Sequence, residues 1–191
     1  MALNSVQLCA RALLKVGAQP ISSFEENTAE AEIASLLYGV CRDSLLSGHP
    51  WSFATAQVRL ARLDETPRAD FDHAFSLPGD FLRVLSAGHG QSGRGRGISY
   101  RIQERRLHAN AETLMLTYIF RPDESAFPAF FDQALICRLA ADLCLPLTEN
   151  TSRTEMLANA AEREFARART IDGQQQTPQT IERFPLVDVR G

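Results

Sequence analysis

Apolar residues recur at helical spacing towards both ends of this chain and alternate in its middle. Val6, Ala10, Leu13 and Gly17 share a face of a first helix, 4–16, which Asn4 or Ser5 can cap and which Gly17 and Pro20 end. Ile33, Leu36, Leu37, Val40, Cys41 and Leu45 form the stripe of a second helix, 28–47, stopped by Gly48 and Pro50. The period then shortens to two. Residues 53–60, 71–77, 81–86, 99–102 and 113–120 read as strands of a small, mostly antiparallel region spanning 52–121. Within it, residues 88–97 hold five glycines and read as a hairpin tip. Helical period returns with Phe127, Phe130, Phe131, Ala134, Leu135, Leu139 and Leu143, so wide an apolar face that the third helix, 127–145, is expected to be buried on most sides, with Pro146 ending it. Ser152-Arg153-Thr154-Glu155 fits a capping box for a fourth helix, 152–171, with Met156, Leu157, Ala160, Ala161, Phe165 and Ala168 inward.

These elements predict an α+β protein. Its body is expected to resemble a four-helix bundle of two N-terminal and two C-terminal helices, with the antiparallel β-region inserted between the pairs. Residues 1–172 form that domain, and 173–191 an extended C-terminal arm. The arm opens on a glutamine-rich stretch and then regains apolar character at Ile181, Phe184, Pro185, Leu186, Val187 and Val189, which predicts a spacer followed by a docking segment. Seven extended spacer residues reach about 23–25 Å.

Composition adds exclusions. With 45% hydrophobic residues the chain can bury a core. No apolar run approaches the roughly 20 residues that span a bilayer, and the first residues lack a signal-peptide pattern, so a cytoplasmic setting is expected. Cys9, Cys41, Cys137 and Cys144 sit at helix-like apolar positions without a CxxC or zinc spacing, and read as buried, reduced thiols. From Arg83 to Arg121 seven arginines face only Glu104 and Glu112, so a chain of net charge −3 is positive in its middle and acidic elsewhere. No phosphate loop, nucleophile elbow, HExxH or calcium loop is present, and the four histidines are scattered. No catalytic, metal or cofactor residue is predicted. His49 reads as a capping or packing residue at a helix end, and Trp51 with Phe53 as a core anchor.

The order of motifs resembles the head-to-tail adaptors of the tail tubular protein A family, found in short-tailed bacteriophages, prophages and gene transfer agents. Five ordered stretches carry the resemblance. They are Ala2-Leu3-Asn4 with Leu13-Leu14-Lys15-Val16-Gly17-Ala18-Gln19-Pro20-Ile21; Leu45-Leu46-Ser47-Gly48-His49-Pro50-Trp51-Ser52-Phe53; Leu77-Pro78-Gly79-Asp80-Phe81-Leu82-Arg83-Val84; Tyr100-Arg101-Ile102 with Arg105-Arg106-Leu107; and Phe127-Pro128-Ala129-Phe130-Phe131 with Leu139-Ala140-Ala141 and Leu145-Pro146-Leu147-Thr148.

The resemblance implies a non-enzymatic virion protein at the head–tail junction, assembled in the host cytoplasm. It implies a ring of about twelve copies between the portal protein and a downstream tail, nozzle or stopper protein. Genome DNA would pass through the lumen without sequence-specific binding. On this reading Ile181, Phe184, Pro185, Leu186, Val187 and Val189 are expected to dock on the portal. Arg94, Arg96, Arg101, Arg105 and Arg106 are expected to contact neighbouring subunits or the next tail protein. Two alternatives stay open: a small DNA-binding protein using the Arg94–Arg106 patch, and a small enzyme whose polar pocket would carry perturbed titratable groups.

Overall fold

The computed structural model describes residues 2–65, 67, 70–88 and 97–175. The helices are α1 (Ser5–Val16), α2 (Ala29–Ser47), α3 (Ala129–Thr148) and α4 (Thr151–Gly173); the strands are β1 (Thr55–Arg59), β2 (His73–Ser76), β3 (Phe81–Gly88), β4 (Tyr100–Gln103), β5 (Arg106–Ala109) and β6 (Met115–Phe120).

The predicted arrangement of an N-terminal and a C-terminal helix pair, bundled around one inserted β-region, is corrected. The chain runs helices, then two three-stranded antiparallel sheets, then α3 and α4 at the C-terminal side. The helices do not form a bundle of pairs. α1, α2 and α4 all pack against α3, while α1 and α2 scarcely touch. The cause lies in α3, where Phe131, Leu135, Leu139 and Leu143 are buried together with Ile136, Cys137, Ala140 and Cys144, so that it offers apolar surface to three neighbours at once.

Local chemistry sets the helix ends. Asn4 caps α1 and forms a reciprocal capping box with Gln7, and Gly17 closes the helix at φ +81°, a conformation glycine adopts without steric cost. Thr28 caps α2. Asn150, not Ser152, caps α4 by accepting from Arg153 N–H at 2.9 Å. Pro146 does not end α3. It sits in the last turn, three residues before Glu149 at φ +53°. So close to the end, its missing N–H removes only one ladder bond.

One sheet has the order β1-β6-β3, pairing Thr55 with Ile119 and Phe81 with Phe120. The other has the order β2-β5-β4, pairing His73 and Tyr100 on either side of Ala109. Strand β5 was not legible in the sequence. Its hairpin to β4 turns through Glu104 and Arg105 at φ +50° and +59°, where a two-residue hairpin normally shows Asn-Gly or a similar pair. Leu60, Phe75, Leu107, Leu114, Leu116 and Tyr118 make a core for the β-region, distinct from the helical core. β6 serves both, since Ile119 joins the helical cluster.

The helical core centres on Trp51, which is fully buried. Its ring lies 5.2 Å from Phe131, 5.8 Å from Phe165 and 5.9 Å from Phe53, and its Nε1–H donates to the Leu45 carbonyl at 3.1 Å. Leu135 and Leu139 are buried in the same cluster, and Phe53 and Phe165 are half-buried against it.

The predicted faces of α1 and α4 are corrected, as is that of α2 below. α1 buries Leu8, Cys9, Ala12, Leu13 and Val16, a stripe rotated from the expected one. In α4, Ala161 and Ala168 face inward as expected, but Met156 is 60% exposed.

Candidate partner-binding surfaces

α2 departs furthest from its sequence pattern. It buries Ala31, Ala34, Tyr38, Cys41, Leu45 and Leu46, leaving Leu36 and Val40 each 69% exposed one turn apart. Polar contacts fix this rotation. Tyr38 Oη donates to Glu124 at 2.9 Å, and Arg42 reaches the same carboxylate at 3.4 Å. Arg121 Nε donates to Asp43 at 3.0 Å, with a second guanidinium bond to that carboxylate. Burial works against the Asp43 charge, but bonds from Arg121 and Arg42 outweigh it and hold the carboxyl below its usual range. The β6–α3 connection thus holds Tyr38 and Arg42 on the side of α2 away from Leu36, and Asp43 on the same stripe as Leu36 and Val40, one turn beyond Val40. Gly39 beside them lies open, with no atom within 4 Å of where a Cβ would stand.

The predicted arginine contacts divide. Arg94 and Arg96 lie outside the described residues, as do Ile181, Phe184, Pro185, Leu186, Val187 and Val189 of the arm. The three described arginines sit at the β4–β5 hairpin, each already engaged. Arg101 pairs with Asp70 at 2.7 Å and Arg106 with Glu65, while Arg105 donates to the carbonyls of Pro78 and Gly79 at 3.4 and 3.3 Å. These are exposed, partly neutralised groups. A phosphate backbone would have to compete with the carboxylates for Arg101 and Arg106. β4 itself is exposed along its whole length and, among the described residues, is an edge strand of its sheet.

One polar centre was missed in the sequence. Asp172, in the last turn of α4, is 1% exposed. It accepts from Ser52 N–H at 3.1 Å to both oxygens and from Ser52 Oγ at 2.6 Å, and His49 Nε2 lies 3.5 Å away. The serine, carboxylate and imidazole do not form a nucleophilic relay. The hydroxyl donates to the carboxylate and no base stands behind it. The arrangement instead ties the end of α4 to the segment His49-Pro50-Trp51-Ser52. His49 also packs edge-on against Trp51 at 4.8 Å, and burial holds its pKa below the ordinary imidazole value. The packing role expected of His49 is what is found.

Cys9, Cys41, Cys137 and Cys144 are free and buried. Burial pushes the thiols of Cys9 and Cys41 up to about 12, and Cys41 Sγ donates to Asp142 at 2.9 Å. Neither is a thiolate nucleophile at neutral pH.

Asp132, in the first turn of α3, is an acid whose pKa is raised. Burial raises its pKa to about 6, with Arg11 opposing, and its Oδ1 is buried without a hydrogen-bond partner. A carboxyl whose folded pKa is raised costs stability where it is ionised in both states. Stability therefore falls as pH rises from the unfolded value near 4 through about 6. Asp132→Asn is expected to raise unfolding stability by about 1 kcal/mol at pH 8, after allowing for solvent screening, and by nothing at pH 4. Urea titrations at the two pH values check this, and an equal effect at both would remove the ionisation account.

Among the described residues no helix is long and apolar enough to cross a membrane, and no cluster of three His, Cys, Asp or Glu could hold a metal ion. No protein-family model matches the chain, and no curated protein matches it in sequence.

Proposed function

We propose that this chain is a structural ring subunit, a head-to-tail adaptor that joins a portal to a tail and continues the DNA channel between them. The observation that carries the reading is the outward apolar face of α2. Leu36 and Val40 stand in solvent on a helix whose other large apolar residues are buried or half-buried, with the Tyr38–Glu124 contact on the opposite side and the Arg121–Asp43 contact one turn on along their own stripe. A second copy of the chain is the occupant that fits. A ring requires this contact to be heterologous, the α2 face meeting a different surface of the next copy, and Leu14, Leu145 and Met156 are exposed apolar groups on other elements.

Two side chains are little against the roughly 800 Å² per partner of a stable interface. The free chain is therefore expected to be monomeric and to assemble when a portal supplies the template. The five ordered motifs of the adaptor resemblance support the same reading. The engaged state of Arg101, Arg105 and Arg106 gives no support to a DNA-binding role.

The test is a double substitution, Leu36→Asp with Val40→Asp. Both positions are exposed, so thermal stability is expected to stay within about 1 kcal/mol of the parent. Ring formation on the portal is expected to be lost in sedimentation with purified portal. A variant that still loads a full ring would count against α2 as the subunit face.

A further inference from the structure

We propose that the shallow groove between α3 and α4 seats Phe184 from the C-terminal segment of an adjacent copy. The groove has a volume of about 280 Å³. Phe130, Ala168 and Ile171 line it with apolar surface, and Gln133, Glu164 and Arg167 supply its polar groups. That space suits one aromatic side chain and little more. Phe130 is itself half-buried, 6.3 Å from both Trp51 and Phe53, so a ring seated here would extend the aromatic cluster of the core.

The chain supplies a matching segment. The described residues end at Gln175, about one turn beyond Ile171, and residues 176–191 follow. Among these, Phe184 is the one aromatic, followed by Pro185-Leu186-Val187. Glu182 and Arg183 immediately precede it. Glu164 and Arg167, themselves 3.9 Å apart, present the opposite charges in the groove. Both signs can therefore be matched when the ring is seated.

The length of the segment allows a neighbouring copy to receive it. Phe184 stands nine residues past Gln175, a reach of up to about 30 Å. The chain's own groove begins about 6 Å back along α4. The reach suits a neighbour around a ring. The inference rests on the ring reading only for that neighbour.

A fluorescein-labelled peptide of residues 176–191, titrated into the full-length chain, tests the pairing without any portal. Saturable binding on the order of 10–100 µM is expected, as small contact areas give. It should weaken at least tenfold with a Phe184→Ala peptide, which needs no refolded protein, and likewise with an Ile171→Asp chain of unchanged circular dichroism. No saturable binding, or binding insensitive to Phe184→Ala, would overturn the proposal. So would binding that emerges only when residues 176–191 are removed from the chain, since the groove would then be filled by its own segment. Binding of the peptide to purified portal and not to the chain would also overturn it, while leaving the adaptor reading intact. Conversely, a peptide that binds a chain unable to engage portal would keep the groove and sink the adaptor.

Discussion

Replacing Trp51 with alanine is expected to destabilise the protein by about 3–5 kcal/mol. The indole is fully buried and lies against five rings: His49, Phe53, Phe130, Phe131 and Phe165. Its removal would leave a cavity where α2, α3 and α4 meet the first strand, and would take one of two donors from the Leu45 carbonyl, which also accepts from Gly48 N–H. Rings held in several packed elements cannot collapse into the gap without moving helices, so the high end of the range is expected. For a chain of this size, that corresponds to a fall in Tm of about 10 °C or more. An unchanged Tm would remove Trp51 from the centre of the core. Trp51→Phe should recover part of the loss, because it restores ring contacts but not the hydrogen bond.

Asp172→Ala is expected to cost about 2–4 kcal/mol, a large effect for a position the sequence pattern treats as a polar helix end. The carboxylate stands at the C-terminal end of α4, where the helix dipole disfavours negative charge. It is held there by the N–H and hydroxyl of Ser52. Alanine would leave both half-buried donors without their acceptor. Asp172→Asn keeps one acceptor oxygen and should lose much less, and Ser52→Ala should cost about 1 kcal/mol. Urea unfolding of the three variants gives the order. If Asp172→Ala were as stable as the parent, the link between the end of α4 and the Trp51 segment would be incidental.

Much of the helical framework was legible because its signals are local. Asn4 with Gln7 and the glycine at position 17 mark α1 within a single turn of chain. Residues whose partners are distant were not legible. Asp172 meets Ser52 across 120 positions, and nothing in Ile171-Asp172-Gly173 distinguishes it from a solvated helix end. The face of α2 was misassigned for a related reason. Counting apolar residues alone placed Leu36 and Val40 inward, but Tyr38 and Arg42, on the other side of the helix, have their partner at Glu124, and that side faces in. The bundle expectation failed because helical period tells which face of an element is apolar, not how many neighbours share it. α3 takes three. The β4–β5 hairpin was hidden by a turn made from glutamate and arginine, residues that carry no turn signal. The arginine patch was visible as charge, but its neutralisation by Asp70 and Glu65 depended on how the strands folded together.

The mass of the purified chain, measured alone and after mixing with purified portal, tests the adaptor proposal most directly. The account predicts a monomer near 21.2 kDa at micromolar concentration. It also predicts that portal particles gain the mass of a closed ring of chains, and that the gain is lost with Leu36→Asp and Val40→Asp. A chain that adds no mass to portal under those conditions would contradict it.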